Sequence, residues 1–578
     1  DLGYAYWPQP DGRVFGFIDV PGHEKFLANM LAGIGGIHHA LLVVACDDGV
    51  MPQTREHLLL LTLAGQPPLS VALTKADRVD ESRIAEVQQQ VAELTQQLGW
   101  SAVAQFVTSS TTHQGVAALR QHLSNLPAPE FESGRRFRLA IDRAFTLKGS
   151  GLVVTGTALA GEVRVGDTLW LSRLNLPVRV RSLHAQNQSV TRAQAGERIA
   201  LNIVGEVEKA QIARGDWLLA QAQPEGTQRL IVALRLLQPL KNASQPVHLH
   251  HAASHVTGRL TLLADNLAEL VLNEPLWLAE NDQLIIRDSN AQQTLGGGRV
   301  VLLNNKKRGK RQPDYLNWLQ QLAAAKSDQA SLQAHLVLHP AGYADLAWSR
   351  QLSDSALDGL LTHVASLRLG SALISTEQAT LWQQRLLAAL AAFHQQHPEV
   401  PGIGRDRLRR VALPHQPPEQ VIALIDQLLA QGQLQQQHGW LHLPDFQPHF
   451  NPQEAALWQQ VGPLFTDQPL WVRDIALASQ QDEETIRSLL LTAARLGHIT
   501  AIVRDRYYHS EQIQIFADLI RQRAANGGST SAADFRNQLG TGRKIAVQIL
   551  EFFDRSGFTR RRGNDHLLRD ARLFDIRS

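Results

Sequence analysis

With a single cysteine, Cys46, the chain holds no internal disulfide framework and no multi-cysteine zinc site. Cys46 follows the apolar run His39-Ala-Leu-Leu-Val-Val-Ala45, so it reads as a buried strand residue rather than a reactive thiol. No apolar run approaches the roughly 20 residues that a membrane span requires. The first residues, Asp1-Leu2-Gly3-Tyr4, lack the basic and apolar regions of a secretory signal. These absences predict a cytoplasmic protein without membrane contact. Charge of one sign is also scarce: 56 Lys and Arg against 54 Asp and Glu leave +2, so the distribution of charge has to be read rather than its sum. Apolar residues are plentiful, at 44% of 578, which excludes disorder, and the length predicts roughly three to six domains.

Through residue 126 apolar strands alternate with helical patterns. Phe17-Ile-Asp-Val20, Leu41-Leu-Val-Val-Ala45, Leu69-Ser-Val-Ala-Leu73 and Gln105-Phe-Val-Thr108 read as buried strands of a mostly parallel sheet covered on both faces. Pro127-Ala-Pro129-Glu130 interrupts this pattern. From Phe137 onward, short β-branched runs bounded by glycine predict two antiparallel barrels, residues 135–222 and 226–304. The basic run Asn304-Asn-Lys-Lys-Arg-Gly-Lys-Arg311 predicts a linker over residues 305–313, either solvated or in contact with RNA. Beyond it helical periodicity dominates, and short strand pairs recur at roughly 65-residue intervals, as tandem units do. Each pair follows two or three amphipathic helices, which predicts four winged helices: residues 314–378, 379–446, 447–511 and 512–578. The last has helices and a wing enough to enclose a core of its own.

Asp19-Val-Pro-Gly-His23 directly follows an apolar strand. Ligands of nucleotide-binding sheets lie beyond the carboxyl ends of the strands, where Asp19 can hold a magnesium-bound water. Gly22 lets a backbone N–H approach a terminal phosphate that a Cβ would obstruct, and His23 projects toward the attacking water. Thr74-Lys-Ala-Asp77 follows the strand at residues 69–73. There, Asp77 can accept two hydrogen bonds from a guanine edge while the Lys75 stem covers the ring. The two motifs together resemble those of the translational GTPases, Asp-x-Pro-Gly-His and Asn-Lys-x-Asp, with Thr74 in place of the usual Asn and Thr108-Ser109 where that family has a Ser-Ala pair. The resemblance implies an α/β P-loop-type GTPase domain over residues 1–126. Asp19, Pro21, Gly22, Thr74, Lys75, Asp77, Thr108 and Ser109 would bind nucleotide, His23 would be catalytic, and GTP and Mg2+ would be the cofactors. No Gly-x-x-x-x-Gly-Lys-Ser/Thr loop occurs in the sequence. The expectation is therefore an incomplete GTPase domain, lacking its phosphate-loop start and unable to hydrolyse GTP unaided.

The stretch Phe145-Thr-Leu-Lys-Gly-Ser-Gly-Leu-Val-Val-Thr-Gly156 resembles the first barrel of tRNA-carrying elongation factors. A GTPase domain, barrels and a tail of four winged helices is similar, over essentially the whole chain, to the bacterial selenocysteine-specific elongation factors. That resemblance implies GTP-dependent delivery of selenocysteyl-tRNA to the ribosome at UGA codons by a monomer. It also implies a selenocysteyl pocket, which Ile141-Asp-Arg-Ala-Phe145 and Arg198 match, making Asp142, Arg143 and Arg198 its candidates. A selenol is more acidic than a thiol and is anionic at neutral pH, so guanidinium groups favour it, with Asp142 expected to orient Arg143. The plainer reading is an ion pair on a barrel surface. His248, His250, His251 and His255 are not read as a metal site, because strand alternation separates neighbours and no carboxylate or cysteine completes the set.

In the last unit Gly540-Thr-Gly542 precedes Arg543-Lys544 at the start of the helix presented to nucleic acid, and Arg560-Arg-Arg562 lies on the adjacent wing. With Arg536 and His566 these form the candidate mRNA-binding set, suited to phosphates and an extruded base of an RNA loop. The resemblance implies that this domain binds the selenocysteine-insertion hairpin. Two other functions remain open: a general translational GTPase serving another tRNA or an initiation step, and a non-enzymatic winged-helix nucleic-acid-binding protein.

Overall fold

Leu69–Thr74 is apolar except at Ser70 and Thr74, as a strand buried on both faces must be. In the computed structural model, which describes residues 3–20, 37–149, 151–223 and 225–574, it is the central strand of a parallel sheet, between Ala40–Ala45 and Ala104–Val107. Helices Pro52–Leu63, Glu81–Gln97 and Val116–Ser124 accompany the sheet, and Asp80 caps the second by accepting a bond from the Arg83 N–H. Cys46 is fully buried at the end of its strand.

The expected strand at residues 17–20 is corrected. Among the described residues Val14–Asp19 joins no parallel sheet; it pairs antiparallel with Gly3–Pro8, and Phe17 is 36% exposed. The cause is local. A tight turn, in which the Gln9 N–H donates to the Arg13 carbonyl and Gly12 sits at φ 87°, brings a nearby aromatic-rich strand alongside.

Residues 138–219 form a seven-stranded antiparallel sheet that curls shut, because Thr168–Leu171 pairs with both Leu176–Ala185 and Trp217–Leu219. Its interior holds Ile141, Val154, Leu183 and Leu201. Six strands between Thr227 and Leu303 close a second barrel around Leu230, Leu249, Leu260, Leu270 and Ile286. The barrels are joined by a buried ion pair: Arg138 donates to both Asp282 oxygens, at 2.9 and 2.6 Å, and His251 Nε2 lies 3.2 Å from the same carboxylate. Burial would raise the Asp282 pKa, but the Arg138 and His251 charges outweigh it and hold the carboxyl well below its usual range.

The first winged helix, from Pro313–Ala324 to the hairpin Ser366–Leu369 and Ala372–Ser375, belongs with the barrels in the unit Asp1–Thr376. It grips the segment that leads from the GTPase domain into the first barrel. Arg135 makes paired bonds to Asp328 at 3.2 and 2.8 Å, Arg136 bonds Asp354, and Arg350 also bonds Asp328. The basic run ahead of this domain is exposed at Lys306, Lys307, Arg308 and Arg311, and it is anchored at several points. Lys310 and Asn305 bond the buried Glu269, Lys306 lies 3.8 Å from the Tyr315 ring centroid, and Arg311 donates to the Leu262 carbonyl.

The unit Glu377–Ser578 holds three further helix-and-hairpin repeats, with hairpins at Gln435–Gln437 and Trp440–His442, Ile499–Val503 and Arg506–His509, and Thr559–Arg562 and Asp565–Leu568. The expectation that residues 512–578 enclose their own core is corrected. Ile502 and Tyr508, from the preceding hairpin, are fully buried in one cluster with Phe516, Phe535, Phe553 and Phe558. Across the same boundary Arg555 donates to the Ile502 carbonyl and Arg506 to Gln548.

Three outcomes are expected. Asp282→Ala should destabilise the barrel pair by about 3–5 kcal/mol in urea unfolding, because it leaves Arg138 charged and unpaired in the interior. In the parent, the stability Asp282 supplies is present above the unfolded carboxylate pKa and lost only as pH falls through its depressed folded value, so acidification to the ordinary Asp range should leave the barrels folded. A fragment of residues 512–578 should be less stable than one of residues 450–578 by at least the about 3–5 kcal/mol that removing one core aromatic costs, and should bind a hydrophobic dye. Equal thermal midpoints would refute the shared core.

Candidate functional site

Parallel pairing sets the ends of Leu69–Thr74 and Ala104–Val107 side by side, and the nucleotide candidates gather at that carboxyl edge. The Thr108 N–H donates to the Leu73 carbonyl at 2.7 Å, and the Ala76 N–H to the Thr108 carbonyl at 3.2 Å. The Ser109 hydroxyl donates to Asp77 Oδ1 at 2.6 Å, aligning an exposed carboxylate. These bonds brace the two loops where the translational GTPases use an asparagine in place of Thr74. Lys75 takes a left-handed conformation, φ 58°, and its Nζ donates to both Asp47 oxygens at 3.2 Å, which extends its stem across the site. Asp47 was missed from sequence; its signal was its place just past the Ala40–Ala45 strand, at the same edge.

Asp19 is exposed at the end of its strand, opposite Gly3. Pro21, Gly22 and His23 lie outside the described residues. The braced, exposed Asp77 and the extended Lys75 stem fit a guanine base, and an exposed carboxylate at a strand end fits a water-mediated Mg2+ contact.

On the first barrel, Arg198 Nη1 donates to Asp142 Oδ2 at 2.5 Å and Nη2 to Oδ1 at 3.1 Å, while the Thr155 hydroxyl adds a 2.7 Å bond to Oδ1. The guanidinium lies 4.0 Å from the Tyr4 ring centroid, and burial pushes the Tyr4 phenol above its ordinary pKa. Asp142 therefore orients Arg198 and not Arg143, which corrects the sequence expectation. The pairing register shifts between Ile141 and Arg143, a bulge that interrupts the regular alternation of side chains, and the Arg143 charge acts on the same Tyr4 phenol as that of Arg198. Arg143 is exposed, without a hydrogen bond or ion pair among the described residues. Tyr4, contributed by a strand of the GTPase domain far away in the chain, carried no sequence signal.

His248, His250 and His255 share one face of the second barrel, with His248 Nδ1 and His255 Nε2 2.8 Å apart and the His250 and His255 rings stacked at 4.5 Å. Burial pushes His250 down to about 3, so it is neutral at physiological pH. Among the described residues no group of three or more His, Cys, Asp or Glu can hold a metal ion. Asp282 lies beside His251, on the other face, and is already paired with Arg138.

In the last winged helix many of the basic residues have structural partners. Arg521 bonds Asp518 and the Ala571 and Leu573 carbonyls, Arg523 pairs with Asp534, Arg555 holds Ile502, and Arg572 pairs with Asp570. Arg543 and Lys544 open the helix Arg543–Ser556 exposed, and Arg560, Arg561 and Arg562 are exposed on the wing strand. Arg536 is half-buried and bonds Asn537. His566 is corrected as an RNA contact: it is buried, and its Nδ1 lies 2.8 Å from Asp554 Oδ2.

Comparison with known proteins matches every part of this architecture. Residues 7–129 match the elongation factor Tu GTP binding domain and 151–219 elongation factor Tu domain 2. Residues 227–307 match the beta-barrel domain of the selenocysteine-specific elongation factor, and 313–360 and 450–508 match its winged helix domains. Residues 387–443 and 521–568 match winged helices of elongation factor SelB. The chain is 58% identical over 574 residues to the selenocysteine-specific elongation factor of Escherichia coli (strain K12), covering 99% of this chain and 93% of that protein. It is 41% identical over 588 residues to the Haemophilus influenzae protein of the same name, covering 100% and 94%. A crystal structure of bacterial selenocysteine-specific elongation factor EF-Sec shares the fold, with a TM-score of 0.65 at 22% identity, across 99% of this chain and 93% of that one.

Proposed function

The chain belongs to the selenocysteine-specific elongation factors, a family of translational GTPases, and we propose that it delivers selenocysteyl-tRNA to the ribosome at UGA codons in the cytoplasm while its last winged helix holds an mRNA hairpin. The observation that carries this reading is Arg198, fixed edge-on by Asp142 and face-on by Tyr4. A guanidinium already oriented by a bidentate carboxylate loses little freedom when it meets an anion. Selenocysteine supplies that anion as a selenolate at neutral pH, whereas a serine hydroxyl is neutral. The exposed Arg143, one residue from Asp142, gives a second positive group to the same ligand. A general carrier of other aminoacyl groups has no need of this pair.

On the nucleotide side, Asp77 accepts the guanine edge, Lys75 covers the ring, and Thr108 and Ser109 hold their loop in place. Asp19 would hold Mg2+ through water, Pro21 and Gly22 would contact the phosphates, and His23 would position water. When bound, GTP supplies the hydrolysable phosphate whose loss releases the tRNA. Arg543, Lys544, Arg560, Arg561 and Arg562, with Arg536 beside them, hold the hairpin backbone. Binding a hairpin next to the codon while the barrels hold tRNA raises the effective concentration of the carrier at that one ribosome.

Arg198→Ala should lower the preference for selenocysteyl-tRNA over seryl-tRNA by about ten- to a hundredfold, the equivalent of one charge-assisted hydrogen bond. Protection of the aminoacyl ester from hydrolysis, in the presence of GTP, measures it. Arg198→Lys should recover only part of the preference, since an ammonium neither grips Asp142 bidentately nor stacks flat on Tyr4. An unchanged preference in Arg198→Ala would refute the pocket.

A further inference from the structure

We infer that Asp554 and His566 are positioning residues for RNA reading, holding the wing that carries Arg560, Arg561 and Arg562 at a fixed angle to the helix that carries Arg543 and Lys544; the inference rests on the assignment of hairpin binding to the last winged helix. Asp554 lies in the last turn of Arg543–Ser556, where the negative end of the helix disfavours a carboxylate. It has partners that offset this. The Thr559 hydroxyl donates to Oδ1 at 2.7 Å, and His566 Nδ1 lies 2.8 Å from Oδ2. Thr559 opens one wing strand, Thr559–Arg562, and His566 sits in the other, Asp565–Leu568. One carboxylate thus ties both strands of the wing to the helix.

Both partners are inside: Thr559 is 1% and His566 6% exposed, while Arg560, Arg561 and Arg562 point to solvent. His566 is in the central strand of a three-stranded sheet, paired with Arg561 on one side and Thr530 on the other, so a shift of its ring moves the strand that bears the arginines. The two basic patches contribute together to phosphate binding only when both face the same RNA backbone. Asp554 sets that angle without touching RNA.

Charge and position make opposite predictions here. Asp554→Asn removes a negative charge from a strongly basic domain, which by electrostatics alone tightens RNA binding. If Asp554 acts by position, the same change weakens it, by about tenfold or more. The test uses the full chain and a fluorescein-labelled RNA hairpin copied from an mRNA downstream of a selenocysteine UGA codon. Asp554→Asn and His566→Leu should both weaken binding. His566→Asn, which keeps a donor near the Nδ1 position, should restore it. In a chain already carrying Arg560→Ala, Arg561→Ala and Arg562→Ala, Asp554→Asn should add no further loss; a loss that persists there would mark general destabilisation and overturn the positioning role. Unchanged or tighter binding by Asp554→Asn, with a parent that binds well, would also overturn it. A parent that ignores the hairpin would overturn the assignment of RNA reading itself, and this inference with it.

Discussion

Asp282 is the constraint on which the carrier half of the chain depends. A carboxylate so deeply buried persists only when its lone pairs are filled, and Arg138, His251 and the Ala279 N–H fill them. Arg138 comes from the first barrel, Asp282 and His251 from the second, and the guanidinium also lies 4.4 Å from the Trp217 ring centroid. Trp217, Trp277 and Trp348 pack in one cluster at this junction, which draws the first winged helix into the same body. Rotating one barrel against the other would unpair a buried charge. The two barrels and the first winged helix therefore form a single frame, and the proposed aminoacyl pocket is built on it.

The GTPase domain meets this frame through smaller contacts. Arg235 donates to the Thr62 carbonyl, His38 sits so close to Gly196 that a Cβ there would clash at 2.3 Å, and Tyr4 stacks on Arg198. Tyr4 follows Gly3, which pairs with Asp19 across the hairpin. One two-stranded ribbon thus carries the proposed magnesium-side carboxylate and the aromatic ring that covers Arg198 of the proposed aminoacyl pocket. Arg135 and Arg136, held by Asp328 and Asp354, anchor the segment that joins the GTPase domain to the first barrel.

Much of this was legible in sequence where a local rule decided it. The mostly apolar run Leu69–Thr74 marked a buried strand of a parallel sheet, glycine-bounded β-branched runs marked the barrels, and the recurring helix-and-hairpin spacing marked the winged helices. What local rules do not contain was misread. Tyr4 reaches Arg198 only through the fold, the slip between Ile141 and Arg143 depends on pairing with a neighbouring strand, and Tyr508 belongs to the core of the next repeat. Basic residues were the least legible. Arg543 and Lys544 are exposed and free to meet the proposed RNA while Arg521 and Arg555 hold backbone carbonyls within the protein, and composition is blind to that difference.

The central claim is that one chain recognises two RNAs on two different units, the aminoacyl end of a tRNA at the barrel pocket and an mRNA hairpin at the last winged helix. Amide hydrogen exchange of the full chain, recorded with the hairpin and separately with selenocysteyl-tRNA and GTP, tests this most directly. The hairpin should slow exchange across residues 540–566 and leave strands Arg138–Leu147 and Arg198–Val204 unchanged, whereas selenocysteyl-tRNA should do the reverse. Protection of the barrel strands by the hairpin, with the last winged helix exchanging freely, would contradict it.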